Sequence, residues 1–416
     1  AGFYYLQKQL NQPDLHAMPN ELQKSGPDAA GYFMNEDLTC GLGHRRLSIL
    51  DLSSAANQPM YSHSGRYIIV FNGEIYNFQE IKKQLNISAK TTSDTEIIIE
   101  AFEKKGVDCV HLFNGMFALA IYDKQEKSLH LFRDRLGIKP LYYFQSDNNF
   151  AFASEIKSLL QAGFIKEHVK ICKPSVYTFL YAGYIPEPFT VYDKIQCLPA
   201  GSYAVVKNSN IEIKSYWKPE EKITSEVKSD FKSAQKELKE LLTSSIRYRM
   251  ISDVPFGTFL SGGIDSSTVT AIAQSVSEKP VKTFSIGFQE AKFNESEYAR
   301  KVAAYLGTQH HEFIVTENDA LELIDKMMTA YDEPFADSSA IPTMLVSKLA
   351  RQHVTMTLSG DGGDELFLGY GMYDWAKRLN NPLVKLLRQP IASTLSNLGN
   401  RYKRGAGVVN YKSEER

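Results

Sequence analysis

Short apolar blocks recur through the first half of the chain: YIIVFNG at 67–73, MFALAIYD at 116–123, SLHLFRD at 128–134, NFAFAS at 149–154 and SYAVVK at 202–207. Turn-forming residues bound each block, so the pattern predicts β-strands, and the one convincing helical spacing runs from Thr95 to Lys105. Strands that follow one another with so few helices predict stacked antiparallel sheets in an α+β domain. The texture changes near Phe231. A long amphipathic helix pattern over 231–250 leads into a buried strand pattern at 254–260, after which helices and strands alternate: helix 266–276, strand 281–288, helix 295–307, strand 309–316, helices 320–331 and 341–352, strand 354–360. Helices of this length between strands predict parallel crossovers and a doubly wound α/β sheet, whose ligands gather at the carboxyl ends of the strands. Two domains are expected, 1–205 and 231–416, with the polar stretch 218–230 as linker. Beyond Trp375 the pattern supports one or two helices and no further strand.

Composition narrows the function. Among 416 residues, 47 Lys plus Arg balance 48 Asp plus Glu, a net charge of −1 that gives no global attraction to nucleic acid or an anionic membrane. Any polyanion must therefore be held by a local site. Cys40, Cys109, Cys172 and Cys197 lie far apart without zinc-ligand spacing, which reads as free thiols in a reducing compartment. No stretch reaches the ~18 to 20 apolar residues that span a bilayer, and the start AGFYYLQKQL lacks the features of a signal peptide. The expectation is a cytoplasmic protein.

One local signal is sharp. Leu260-Ser261-Gly262-Gly263-Ile264-Asp265-Ser266-Ser267 sits directly between a predicted strand and a predicted helix. Adjacent glycines let the backbone approach an anion, serines supply hydroxyls, and the helix start aims free N–H groups at the loop. The loop is suited to a polyphosphate, but the lysine of G-x-x-x-x-G-K-[ST] is absent, which disfavours kinase-like transfer of a γ-phosphate. An acidic Asp265 in an anion site makes sense if it holds a divalent cation that bridges the phosphates. The plainer reading is a Gly-Gly turn capped by serine. A second cluster, Asp361-Gly362-Gly363-Asp364-Glu365, lacks the alternating oxygen ligands of a calcium loop. In the first half, Asn72-Gly73 alone could be a hairpin turn.

These segments together resemble a known family. S-G-G-[IL]-D-S-S is similar to the pyrophosphate loop of ATP pyrophosphatases, and Ser359 to Phe367 with Asp332 to Ser339 resemble the matching segments of asparagine synthetase and its relatives. The resemblance implies an adenine nucleotide α-hydrolase-like fold for the second domain. It implies ATP binding by Leu260, Ser261, Gly262, Gly263, Asp265, Ser266, Ile286, Ser359 and Gly360, with Leu260 and 285–287 at the adenine. It also implies a Mg2+ ion shared by Asp265 and Asp364, and Asp361 towards the substrate.

In the first domain, Asn72 to Asn77, Leu42 to Ile49, Gly26-Pro27-Asp28, Thr92 to Glu96, Arg133-Asp134 and Gly137 to Tyr143 resemble the class II glutamine amidotransferase domain, an Ntn-hydrolase-like fold. Releasing ammonia from glutamine requires a nucleophile, a base, oxyanion donors and a clamp for the amino acid. By resemblance Arg46 pairs with the carboxylate, Glu74 and Asp94 with the ammonium, and Asn72 with Gly73 forms the oxyanion hole and binds substrate. That family uses an amino-terminal cysteine. Its members open with Cys-Gly-Ile and continue in the manner of Ala1-Gly2-Phe3, so the nucleophile is expected just ahead of Ala1. Lys24-Ser25 stands where His-Arg usually precedes Gly-Pro-Asp, and nothing after Glu365 matches the family's later lysine-bearing segment.

The resulting expectation is a glutamine-dependent ligase that adenylylates a carboxylate, in the commonest case aspartate, and aminates it with ammonia. The alternatives are the same chemistry on another carboxylate, such as a sugar acid of a surface polysaccharide, and a non-catalytic binding relative. The implied partners are small molecules, with a homodimer as candidate assembly.

Overall fold

The computed structural model describes residues 1–5, 12–146, 149–208, 210–223, 230–289, 294–398 and 400–410. The apolar blocks of the first half form strands in which alternate side chains face two different cores. In chain order these are β1 (Gly2–Tyr5), β2 (Ala29–Met34), β3 (Cys40–Arg46), β4 (Met60–Tyr61), β5 (Tyr67–Ile75) and β6 (Gly115–Asp123). They continue with β7 (Ser128–Arg133), β8 (Tyr142–Gln145), β9 (Asn149–Ala153), β10 (Ile195–Cys197), β11 (Ser202–Lys207) and β12 (Asn210–Ser215). Two six-stranded antiparallel sheets result, ordered β10-β8-β9-β1-β3-β2 and β12-β11-β7-β6-β5-β4.

The sheets stack face to face. Leu42 and Phe152 from the first pack with Val70, Ala120 and Leu131 from the second. Helices Phe78–Gln84 and Asp94–Lys105 cover the outer face of the second sheet through Phe78, Ile81 and Ile98. Helices Gln12–Glu21 and Ile156–Leu159 cover the outer face of the first through Leu15, Met18 and Leu159. The domain is therefore four layers, helix, sheet, sheet, helix. It also runs past the expected boundary at 205, because β12 pairs along all of β11 and the N–H groups of Tyr216 and Trp217 both reach Gly201 O.

Helix Phe231–Arg249 opens the second domain, with the Asp230 carboxylate accepting the N–H groups of Lys232 and Ser233. Strands β13 (Phe256–Phe259), β14 (Lys282–Phe288), β15 (Gln309–Val315) and β16 (Met356–Leu358) form a parallel sheet in the order β15-β14-β13-β16. From β13 the chain first builds outwards through β14 and β15, then returns to place β16 on the other side. That reversal makes a switch point between β13 and β16, where such sheets open a crevice for ligands. Past Trp375 the described chain is helical, with Pro382–Leu386, Arg388–Asn397 and Asn400–Asn410, one more than the pattern supports.

Candidate functional site

Strands β3 and β5, together with the start of helix Asp94–Lys105, gather the expected glutamine-site residues around one cavity of about 160 Å³, lined by Arg46, Asn72, Gly73, Glu74 and Asp94. Asn72 and Gly73 lie inside β5, not at a hairpin turn. Gly73 has φ 153°, and a Cβ there would come within 2.0 Å of Met116 O, so only glycine lets β5 and β6 approach at this point. The Asn72 amide donates to Ser154 Oγ at 3.1 Å, which fixes its orientation.

Arg46 is buried and tied down. Its Nη1 donates to Ser53 O and Asn57 Oδ1, both at 2.9 Å, and its Nη2 to Leu50 O at 3.0 Å and to Asp51 O. The guanidinium thus organises the loop after β3 before any ligand arrives, a duty that the reading of a carboxylate clamp did not include.

The two acidic residues are buried side by side. Burial, and then the Asp94 carboxylate, pushes Glu74 up to about 8, against the pull of Lys139 and Arg249. Burial pushes Asp94 up to about 6, although the N–H of Ile75 donates to it at 2.9 Å. One oxygen of Glu74, Oε1, is buried without a hydrogen-bond partner. An orphaned carboxylate oxygen beside a second carboxylate is a site short of positive charge, which a ligand ammonium would supply.

Three further groups join this site without having been assigned a role from the sequence. His44 is held neutral by burial, its ring lowered to about 3, with Nε2 3.0 Å from Phe71 O. Lys139, lowered by burial, lies among Asp134 and Glu74. Ser154 follows β9 and orients Asn72. With Ala1, these three line an adjoining cavity of about 310 Å³ that shares Asn72 with the first. Ser25, the departure from His-Arg, donates to Glu155 Oε1 at 2.6 Å and lines both cavities.

In the second domain the expected nucleotide residues flank the switch point. Leu260 to Ser266 follow β13, and Ser359 to Asp364 follow β16. Gly262 has φ 87°, and a Cβ there would strike Tyr298 Cβ at 2.6 Å, so glycine is required. Ser261 and Ser266 hydroxyls meet at 2.9 Å, and the Gly263 N–H donates to Ser261 Oγ at 3.2 Å. Helix Ile264–Val276 begins two residues earlier than the pattern suggests, placing Asp265 in its first turn. The loops touch: a Cβ on Gly363 would lie 2.4 Å from Asp265 Oδ2, and one on Gly360 would lie 2.8 Å from Ser266 N. These glycines leave a cradle that any side chain would fill.

Asp364 lies in the short helix Gly363–Phe367, and Asp361 accepts from Ser359 Oγ at 2.8 Å. Leu260 is buried against Ala299 and Ala303, so any contact that it offers a nucleotide comes from its backbone, whereas Ile286, half-buried beside Val315 and Leu345, keeps part of its side chain open.

Part of the second motif faces elsewhere. Asp332 accepts the N–H of Ile156 in the first domain and pairs with Lys157 at 3.7 Å, while Glu333 accepts the N–H of Val191 at 2.5 Å. Ala336 N–H donates to Gly183 O at 3.0 Å. This segment braces the seam between domains.

Comparison with known proteins agrees with this division. The family profile of the glutamine amidotransferase domain matches residues 1–217 and that of asparagine synthase matches 237–416. A putative glutamine-hydrolyzing asparagine synthetase 2 of Methanocaldococcus jannaschii is 39% identical, covering 96% of this chain and 82% of its own length. The glutamine-hydrolyzing asparagine synthetase 1 of Bacillus subtilis is 36% identical over 88% of this chain, and asparagine synthetase B of Escherichia coli 30% identical over 88%. The chain spans 56% and 63% of the length of these two. Among solved structures, the allosteric regulatory enzyme of purine biosynthesis aligns at a TM-score of 0.41 and 14% identity, over 75% of this chain and 80% of that one, a likeness too slight to carry an argument.

Proposed function

The chain belongs to the glutamine-hydrolysing asparagine synthetase family, and from that premise we propose that it is a glutamine-dependent, ATP-consuming ligase that forms asparagine. Glutamine and water give glutamate and ammonia in the first domain. Aspartate and ATP give an aspartyl-adenylate and pyrophosphate in the second, and ammonia displaces AMP from that adenylate. The observation that carries the reading is the convergence of Arg46, Asn72, Glu74 and Asp94 on one cavity.

In the first reaction Glu74 and Asp94 take the α-ammonium, and Arg46, whose four terminal N–H groups are already given to the 50–57 loop, meets the α-carboxylate with its charge and its remaining Nε–H. The Asn72 amide, aimed by Ser154, and the Gly73 N–H stabilise the oxyanion as the amide carbon becomes tetrahedral. We place the nucleophile, a cysteine whose free α-amine serves as base, three residues ahead of Ala1. Ala1, which precedes β1, lines the cavity that shares Asn72 with the glutamine pocket, and this supports the placement.

In the second reaction the 261–266 loop cradles the phosphates of ATP. Magnesium takes one or two carboxylates and completes its shell with phosphate oxygens and water. The Asp265 carboxylate lies against Gly363, the residue before Asp364, so the pair fits a nucleotide-borne ion, which when bound would offset the charge of the departing pyrophosphate. Asp361 is assigned to the acceptor side. Location in the cytoplasm and assembly as a homodimer belong to the same proposal.

The test is ATP/pyrophosphate exchange and glutamate release by the complete native protein, with aspartate compared against sugar acids. Exchange dependent on aspartate is expected. Exchange with a sugar acid alone would transfer the activity to that substrate, and neither exchange nor glutamate release would leave a binding protein.

A further inference from the structure

The loop that builds the Arg46 clamp is not held by its own domain alone. Asp51, at its centre, is buried and has φ 52°, a left-handed conformation that aspartate tolerates better than most residues and that its hydrogen-bond partners hold here. Bonds from four partners converge on it. Its carbonyl accepts from Arg46 Nη2, its carboxylate accepts from Ser53 N and Oγ at 3.0 and 2.6 Å, and its other carboxylate oxygen accepts from Thr92 N at 2.9 Å, two residues before Asp94. The fourth partner lies in the other domain: the Asp51 N–H donates to Asp253 Oδ2 at 2.7 Å. Asp253 returns the contact, its own N–H donating to Ile49 O at 3.0 Å. This reciprocal pair joins the glutamine loop to the turn that enters β13, which ends at Phe259 immediately before the phosphate loop.

We infer that Asp253, a residue of the synthetase domain, is a positioning residue for the glutamine site: it pins Asp51 in its left-handed turn and so aligns the Arg46 clamp with Asp94. The glutamine pocket is then completed by the domain that consumes its product. The inference rests on the proposed glutamine reading, but its physical core, the pinning of Asp51, can be measured apart from activity.

The experiment compares Asp253→Ala with Asp253→Asn in the complete native protein. Asparagine keeps a carbonyl oxygen able to accept the Asp51 N–H, whereas alanine removes the acceptor. Asp253→Ala is expected to raise KM for glutamine about tenfold with kcat within about twofold, to leave ammonium-driven synthesis near wild type, and to be largely rescued by Asp253→Asn. Hydrogen exchange of the amides of residues 50–53 should quicken in the alanine variant alone. Unchanged KM, or a parallel fall in ammonium-driven synthesis, would overturn the inference by reducing Asp253 to a general brace. Should wild type release no glutamate, the glutamine reading fails instead, and unaltered exchange at 50–53 in Asp253→Ala would then still refute the joint. If the alanine variant does not fold, Asp253→Glu, which shifts the carboxylate by one methylene, must raise KM in the same direction or the inference falls.

Discussion

The two ligand sites solve opposite electrostatic problems. In the first domain Arg46, Glu74 and Asp94 are all at most 6% exposed, and the protein itself supplies four acceptors for the guanidinium and a backbone donor for Asp94. In the second, Asp361 is exposed and Asp265 and Asp364 are half-buried in the first turns of helices that follow loops of small residues. The first pocket is organised during folding, so its binding geometry is inseparable from the stability of the domain. The second is a cradle of glycines and carboxylates whose charge balance must arrive with the ligand. Substitutions should therefore separate cleanly: stability and glutamine use together in one half, nucleotide chemistry alone in the other.

The largest effect expected tests the second half of that contrast. Asp364→Asn or Asp265→Asn keeps the size of the side chain and removes the charge that an ion between the phosphates would need. ATP/pyrophosphate exchange should fall on the order of a thousandfold in the complete protein. Glutamate release should stay within about twofold, and the thermal midpoint should move little, since surface carboxylates of this kind contribute little to stability. Near-normal exchange in Asp364→Asn would show that the Asp361 to Glu365 segment is only a turn.

Arg46→Ala probes the opposite pole. Loss of the buried guanidinium charge should cost about 2–4 kcal/mol in kcat/KM for glutamine, on the order of a hundredfold, while ammonium-driven synthesis persists. Because the carbonyls of Leu50, Asp51 and Ser53 lose their donor, unfolding should also become easier by about 1–3 kcal/mol. Glutamine use lost without any loss of stability would show that the loop does not depend on the guanidinium.

Legibility in the sequence divides along the same line. Period-two apolar blocks such as 67–75 and alternating helix and strand patterns after Phe231 are local signals, and both kinds of sheet could be read from them. So could the phosphate loop, because its glycines, serines and position after a strand are consecutive in sequence. Helix Gln12–Glu21 was not legible: it carries Pro19 inside it, and among its described residues the buried ones, Leu15, Met18 and Pro19, are too few to set a period. Ser154, His44 and Lys139 were missed because their roles arise only when β9, β3 and the 134–140 loop are brought together across two sheets. Asp332 and Asp253 could not be assigned to the seam, since each acts on the other domain, and nothing local in a sequence records which surface a carboxylate will face.

Ser154→Ala refines the comparison by loosening one residue of the organised pocket without removing a charge. The Asn72 amide then lacks the acceptor 3.1 Å away that orients it. If oxyanion stabilisation depends on that orientation, kcat for glutamine should fall about tenfold while KM is nearly unchanged, since the clamp residues are untouched. A change in KM alone would place Asn72 in ground-state binding only.

The mildest test needs no mutation. Glu74 is pushed up to about 8 and Asp94 to about 6, chiefly by burial, so near neutral pH the ligand-free pocket holds a proton on Glu74. An α-ammonium is bound by the ionised form, so capture at pH 7 must release that proton. Raising the pH from 7 to 8 increases the ionised fraction of a group titrating near 8 from about a tenth to about a half, so KM for glutamine should fall about fivefold over that interval. The sign for stability is reversed. A carboxyl whose folded value lies above its unfolded value favours folding in its neutral form, so its contribution is fully present below about 4.5 and is lost as pH rises through 8. The ligand-free protein should thus lose stability over the range in which glutamine binds better. Glu74→Gln, isosteric and uncharged, should remove both trends above pH 7 and leave the smaller one that Asp94 contributes near 6. Persistence of the full KM dependence in that variant would assign the titration to another group.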